Sequence, residues 1–201
     1  EFKKIHEEFL NFIENEESIE DDFKNLIQLF KESRIVNCPH DLRLFLHLLV
    51  KVANNHHRGP NFFCKIDQVL QYFKDDINKY SNTEIFNIFK SNKRILLFLI
   101  ENKIMIVDEY FVKQIIKEKY LEKMYPQYFA PEIKPFLNKK FFPKHDERIN
   151  KLVEEINKGL IDDFYELRKN GENESFICKL IREDAVEDFI IHINRNDISR
   201  N

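Results

Sequence analysis

Six side chains between residues 38 and 64 are of the types that bind metals or act as nucleophiles: Cys38, His40, His47, His56, His57 and Cys64. A structural zinc site needs paired ligands at fixed spacing, such as C-x2-C with H-x3-5-H, because four ligands must converge on a tetrahedral ion. Cys38-Pro39-His40 is too tight for that knuckle, and His47 sits mid-helix between Leu46 and Leu48. A thiol nucleophile needs a base and a third group to orient that base. Cys64 follows His57 by a few residues, but it falls at an apolar helix start and no third group accompanies the pair. Cys38 and Cys64 therefore read as small buried hydrophobes. His56, His57 and Arg58 read as loop residues that hydrogen-bond backbone carbonyls, with Asn61 capping the helix that follows. No catalytic residue, metal ligand or cofactor is assigned. A metal-dependent or thiol enzyme centred on His56, His57 and Cys64 is kept as the alternative.

Other chemistry is weaker. Carboxylate pairs such as Glu7-Glu8, Asp21-Asp22, Asp75-Asp76 and Asp162-Asp163 lie on helix faces or near helix starts, where they favour the helix dipole. Three glycines could hardly build a phosphate-cradling loop. Lys90, Lys93, Arg94 and Lys103 form one basic patch, and Lys134, Lys139, Lys140 and Lys144 form another among aromatics. Basic residues interleaved with aromatics can bind single strands. The net charge of −3 weighs against nucleic acid, which is carried as a further alternative. The three cysteines argue against a disulfide framework and for a reducing compartment. No apolar run is long enough to span a bilayer, and no signal peptide is read at the start.

The elements that must position these residues are helices. Glycine is scarce at 3 and proline at 6, whereas all-β folds need turn residues every few positions. Phe2, Ile5, Phe9, Phe12 and Ile13 follow helical spacing, as do Ile19, Phe23, Leu26, Ile27 and Phe30. Asp41 is expected to cap a helix through Leu42, Phe45, Leu49 and Val52. Asn82-Thr83-Glu84 opens a helix pair that turns at Ser91-Asn92, and Ile95 to Ile100 is apolar nearly all round. Asp108 caps a further helix. Residues 120–143 hold Pro126, Pro131, Pro135 and Pro143 among aromatics, and read as a packed connector with short helical turns. Phe89, Leu97, Leu99, Phe164 and Phe189 are expected in the core.

A pattern then occurs twice. Glu155-Ile156-Asn157-Lys158-Gly159-Leu160-Ile161-Asp162-Asp163-Phe164 is matched by Leu180-Ile181-Arg182-Glu183-Asp184-Ala185-Val186-Glu187-Asp188-Phe189. Each reads as short helix, tight turn, short helix, and Ile85 to Ile100 is a looser third copy. The segment from Ile177 to Ile190 resembles the core of an ankyrin repeat, with Gly159 standing where Asp184 does. The Thr-Pro-Leu-His signature is missing and the spacing is shorter than a full repeat, so these are degenerate units. From about Leu42 onward the chain resembles the N-terminal helical region of large trichomonad-type protist proteins in which ankyrin repeats follow. That resemblance rests on Asn55-His56-His57-Arg58 with Pro60-Asn61-Phe62-Phe63, on Glu84 to Leu99, and on Gly171-Glu172-Asn173 with Ile177 to Arg182. It implies an intracellular, ankyrin-associated interaction protein and carries no assigned activity. In ankyrin-type repeats a His ties a turn to the neighbouring unit, which suits His56 and His57.

The expectation is therefore an all-α chain of antiparallel helix pairs, stacked as an ankyrin-like solenoid behind an N-terminal helical bundle or cap. Residues 1–123 form the N-terminal helical array, 124–144 the connector, and 145–201 the degenerate ankyrin-like pairs, with one continuous solenoid as the alternative. The expected function is a non-enzymatic scaffold or adaptor that caps a downstream ankyrin array. It takes a protein partner, uses no small-molecule substrate, does not insert into a membrane, and resides in the cytoplasm.

Overall fold

The computed structural model describes residues 2–15, 19–33, 35, 37–55, 61–117, 125–137, 149–151, 153–155, 157–158, 164–169 and 186–187. Among the described residues the regular structure is all helical. The chain divides into two compact units, Glu1–Ile115 and Ile116–Asn201.

The first unit opens with α1 (Phe2–Glu14), α2 (Ile19–Glu32), α3 (Pro39–Asn55) and α4 (Phe62–Tyr72). It continues with α5 (Lys74–Ile77), α6 (Asn82–Phe89), α7 (Lys93–Glu101) and α8 (Glu109–Ile115). The 3.6-residue spacing of apolar side chains sets the buried faces: Ile5, Phe9, Phe12 and Ile13 of α1 face inward, while Phe2 remains exposed. Phenylalanines join the elements. Phe30 of α2 lies 4.9 Å from Phe45 of α3 and 4.8 Å from Phe73, and Phe9 of α1 lies 5.4 Å from Phe45. Phe86 of α6 packs edge-on to Phe111 of α8 at 5.8 Å. Such edge-to-face pairs add about 0.5–1.5 kcal/mol each beyond their buried area. Phe89, Leu97 and Leu99 are buried as expected, and α7 buries every residue from Ile95 to Leu99.

Local caps place the helix boundaries. Ser81 opens α6 with a capping box: its hydroxyl accepts from Glu84 N–H, and the Glu84 carboxylate accepts from Ser81 N–H at 3.0 Å. Asn92 caps α7 by accepting from Ile95 N–H at 3.0 Å, and Asp108 accepts from Phe111 N–H at 2.8 Å at the start of α8. Two expected caps are different. Asp41 lies inside the first turn of α3, because Pro39 already begins that helix and Leu42 N–H bonds to Cys38 C=O. Asn61 precedes α4 but makes no side-chain cap bond: its backbone (φ −99°, ψ 6°) is not the extended form that aims a cap oxygen at the first turn. The end of α7 is a Schellman motif, with Ile104 N–H bonded to Leu99 C=O and Lys103 N–H to Ile100 C=O. Lys103 takes the left-handed position at φ 59°, where glycine usually stands.

In the second unit, α9 (Tyr125–Tyr128) and α10 (Ala130–Leu137) occupy the proline-rich stretch, and α11 (Phe164–Lys169) follows. Tyr125, Tyr128, Phe129 and Ile133 are buried, so the described part of the stretch, residues 125–137, is packed and carries short helices. Phe164 is buried, and Phe189 lies outside the described residues. Most of the twin pattern, including Gly159 to Asp163 and Leu180 to Ala185, also lies outside them.

Candidate functional site

The His/Cys candidates do not converge among the described residues. His40 and His47 are exposed on α3 and Cys38 is half-buried. Cys64 is exposed, contrary to the buried role expected of it, because the inward face of α4 is formed by Phe62, Lys65, Ile66, Val69 and Leu70. His56, His57 and Arg58 lie outside the described residues. No group of three or more His, Cys, Asp or Glu among the described residues could hold a metal ion.

What α4 places inside instead is a cation. Lys65 is 2% exposed and its ammonium donates to the carbonyls of Phe12 at 2.7 Å, of Ile13 at 3.2 Å, and of Asn15. These three acceptors match the three N–H donors of an ammonium. Phe12 and Ile13 carry two of the C=O groups that the end of α1 leaves without an intrahelical partner, at the negative end of that helix. The ammonium also lies 5.4 Å from the centre of the Phe12 ring. Lys65 stands three residues after Phe62 and four before Val69, on the apolar stripe itself. A lysine in that register was the signal that could have found it.

A second cation is internal as well. Arg94 of α7, expected in a basic surface patch, forms a bidentate pair with Asp67 of α4: Nη1 to Oδ1 at 3.1 Å and Nη2 to Oδ2 at 2.5 Å. Its guanidinium lies 5.2 Å from the Phe63 ring centre and 6.0 Å from that of Phe98. The correction has a packing reason. α7 buries nearly all its faces, so even its first turn meets a neighbour. Burial pushes the Asp67 carboxyl above its ordinary value, and the Arg94 hydrogen bond and charge oppose that rise. Of the other basic-patch residues, Lys90 donates to Asn87 at 3.1 Å, Lys134 is half-buried, and Lys139, Lys140 and Lys144 lie outside the described residues.

Asparagines tie the helix ends. Asn92 Nδ2 donates to Asn54 Oδ1 at 2.9 Å, joining the start of α7 to the end of α3. Asn82 at the start of α6 donates to Ile106 C=O at 2.9 Å and to Asp108 at 2.8 Å, and accepts from Ile106 N–H at 2.9 Å. In the second unit the side chain of Arg168 is 4% exposed and its Nη2 pairs with Glu132 at 2.6 Å, among the rings of Tyr128, Phe164 and Tyr165. Arg168 Nε and Glu132 Oε2 are buried without a hydrogen-bond partner among the described residues. A shallow pocket at the start of α2 is lined by Glu20, Phe23, Lys24 and Gln68. It gathers no nucleophile with a base and no ligand set.

No family model, curated protein or solved structure matches the chain. No helix among the described residues is long and apolar enough to cross a membrane.

Proposed function

We propose that this chain is a non-enzymatic scaffold for protein partners, built from helix pairs stacked in the manner of a degenerate ankyrin-like array. The observation that carries the proposal is the parallel stacking implied by contacts between successive pairs. Arg43 approaches Glu84 near the starts of α3 and α6, and Asn54 in the last turn of α3 meets Asn92 just past the end of α6, so these two helices run in one direction. Asn82–Asp108 and Phe86–Phe111 align α6 with α8 in the same sense. Phe9–Phe45 brings α1 beside α3. A second row is suggested by Phe30–Tyr72 between α2 and α4 and by Asp67–Arg94 between α4 and α7. Repetition of one pair geometry exposes a continuous helical surface, which is how such arrays bind partners.

The resemblance to trichomonad-type ankyrin-repeat proteins adds the second half of the reading: the region caps an ankyrin array inside the cell. Affinity capture with the chain as bait and nuclease present should recover a protein that the purified chain rebinds directly. Recovery of nothing that rebinds would sink the reading, as would binding that survives removal of residues 1–115.

A further inference from the structure

The outward face of α3 carries a stripe with two cations, Arg43 and Lys51, around an apolar centre. His40, Arg43, Leu44, His47 and Lys51 are exposed, and their spacings of three and four residues keep them on one side of the helix. Asp41, the one carboxylate in α3, lies half-buried off that side. Leu44 is 46% exposed in the middle of the stripe, with half-buried Leu48 beside it. Burial, and then the Arg43 charge, holds the His47 imidazole below its ordinary pKa, which favours the neutral ring and leaves Arg43 and Lys51 as the charges of this face.

Little neutralises this face. Glu84 of α6 reaches Arg43 only at 4.0 Å, the outer limit of an ion pair, with both side chains 44% exposed. The other oxygen of Glu84 is held by the Ser81 N–H at 3.0 Å and hydroxyl at 2.7 Å. The chain as a whole carries −3, and α2 opens with Glu20, Asp21 and Asp22. The α3 face is thus a local exception in an acidic molecule. That combination selects for an acidic partner and against a phosphate backbone, which favours a broad basic excess. An exposed leucine at the centre favours an apolar stripe opposite it.

We propose that this face of α3 docks an acidic amphipathic helix of a partner protein. The partner sets its apolar stripe on Leu44 and Leu48, and its carboxylates meet Arg43 and Lys51. From His40 to Lys51 the face rises about 16 Å at about 1.5 Å per residue, so acids repeating every three to four residues would follow it. The inference rests on the scaffold reading and names the class of partner.

The probe is a synthetic Glu/Leu helical peptide with its leucines on one face. Controls are a Lys/Leu peptide of the same pattern and a single-stranded oligonucleotide. The whole chain should bind the Glu/Leu peptide, more weakly as salt rises. Arg43→Glu with Lys51→Glu should weaken binding by about tenfold or more. Leu44→Ser should weaken it several-fold. All these positions are exposed, so unchanged melting of the variants verifies that the fold is kept. Absence of Glu/Leu binding overturns the proposal. So does equal binding by the charge-reversed chain, preference for the Lys/Leu peptide, or tighter binding of the oligonucleotide. A captured protein that rebinds the charge-reversed chain undiminished would reject this face while leaving the scaffold reading standing.

Discussion

Helix α4 is joined to its neighbours by two cations, and the joints work differently. Toward α1, Lys65 of α4 is almost wholly buried and gives its hydrogen bonds to backbone carbonyls. Toward α7, Asp67 of α4 receives Arg94 in a bidentate pair whose side chains are 23% and 11% exposed. The first joint satisfies groups that a helix end leaves open, so its partner atoms exist wherever α1 ends. The second needs a matched pair of side chains, and each partner loses hydration to form it. The difference teaches that a buried charge here serves as a backbone cap in one place and as a side-chain clamp in another.

Breaking the first joint should have the largest effect. Lys65→Ala removes a packed stem and leaves buried carbonyls without donors, and should cost about 3–5 kcal/mol in denaturant unfolding. Lys65→Met keeps much of the stem and should cost about 2–3 kcal/mol, isolating the lost hydrogen bonds. A Met variant as stable as the original chain would show that the carbonyls find other donors. At the second joint, Arg94→Ala should cost about 1–3 kcal/mol. Arg94→Lys should recover only part of this, because an ammonium cannot reproduce the fork or lie flat on Phe63. A double-mutant cycle with Asp67→Asn measures the coupling directly.

Smaller effects sharpen the contrast between tertiary joints and local caps. Ser81→Ala should cost about 1 kcal/mol by removing the cap of α6. Lys103→Gly should stabilise by up to about 1 kcal/mol, since glycine accepts the left-handed backbone without the Cβ clash. Thermal melting reads both signs.

The smallest test is pH dependence, where two carboxylates should act with opposite signs. Asp67 has a raised folded-state pKa, so its contribution is present below its ordinary 3.8 and is lost as pH rises through the folded value. Glu84 has a lowered pKa, first from the Ser81 hydroxyl and then from the Ser81 backbone. Its contribution is present above its ordinary 4.5 and is lost as pH falls through the folded value. The stability difference between the original chain and Asp67→Asn should shrink as pH rises through the first window. Against Glu84→Gln the difference should grow as pH rises through the second. Parallel slopes would contradict the assignment.

Helix positions were legible because their causes lie within a turn or two. Asn92 and Asp108 bond to N–H groups three residues ahead, and the stripe Ile5, Phe9, Phe12, Ile13 is a count of helical turns. Asp41 and Asn61 misled because a cap depends on the backbone angle at one residue, and residue type alone does not decide that angle. Cys64 misled because a shift of one residue on α4 separates the inward face from the outward one. The chemistry-bearing types that drew attention first, the cysteines and histidines, form no metal-ligating group among the described residues, while Lys65 and Arg94 have internal partners.

By itself, then, the sequence determined the helical class of the described residues, several of their helix boundaries and which apolar stripes turn inward, since periodicity and capping act over three or four residues. Tertiary structure alone decided which helix each polar group serves. Lys65 meets a carbonyl 53 residues away and Arg94 a carboxylate 27 residues away. No local pattern encodes such meetings, because they depend on how whole helices stack and on the cost of leaving a buried charge or carbonyl without a partner.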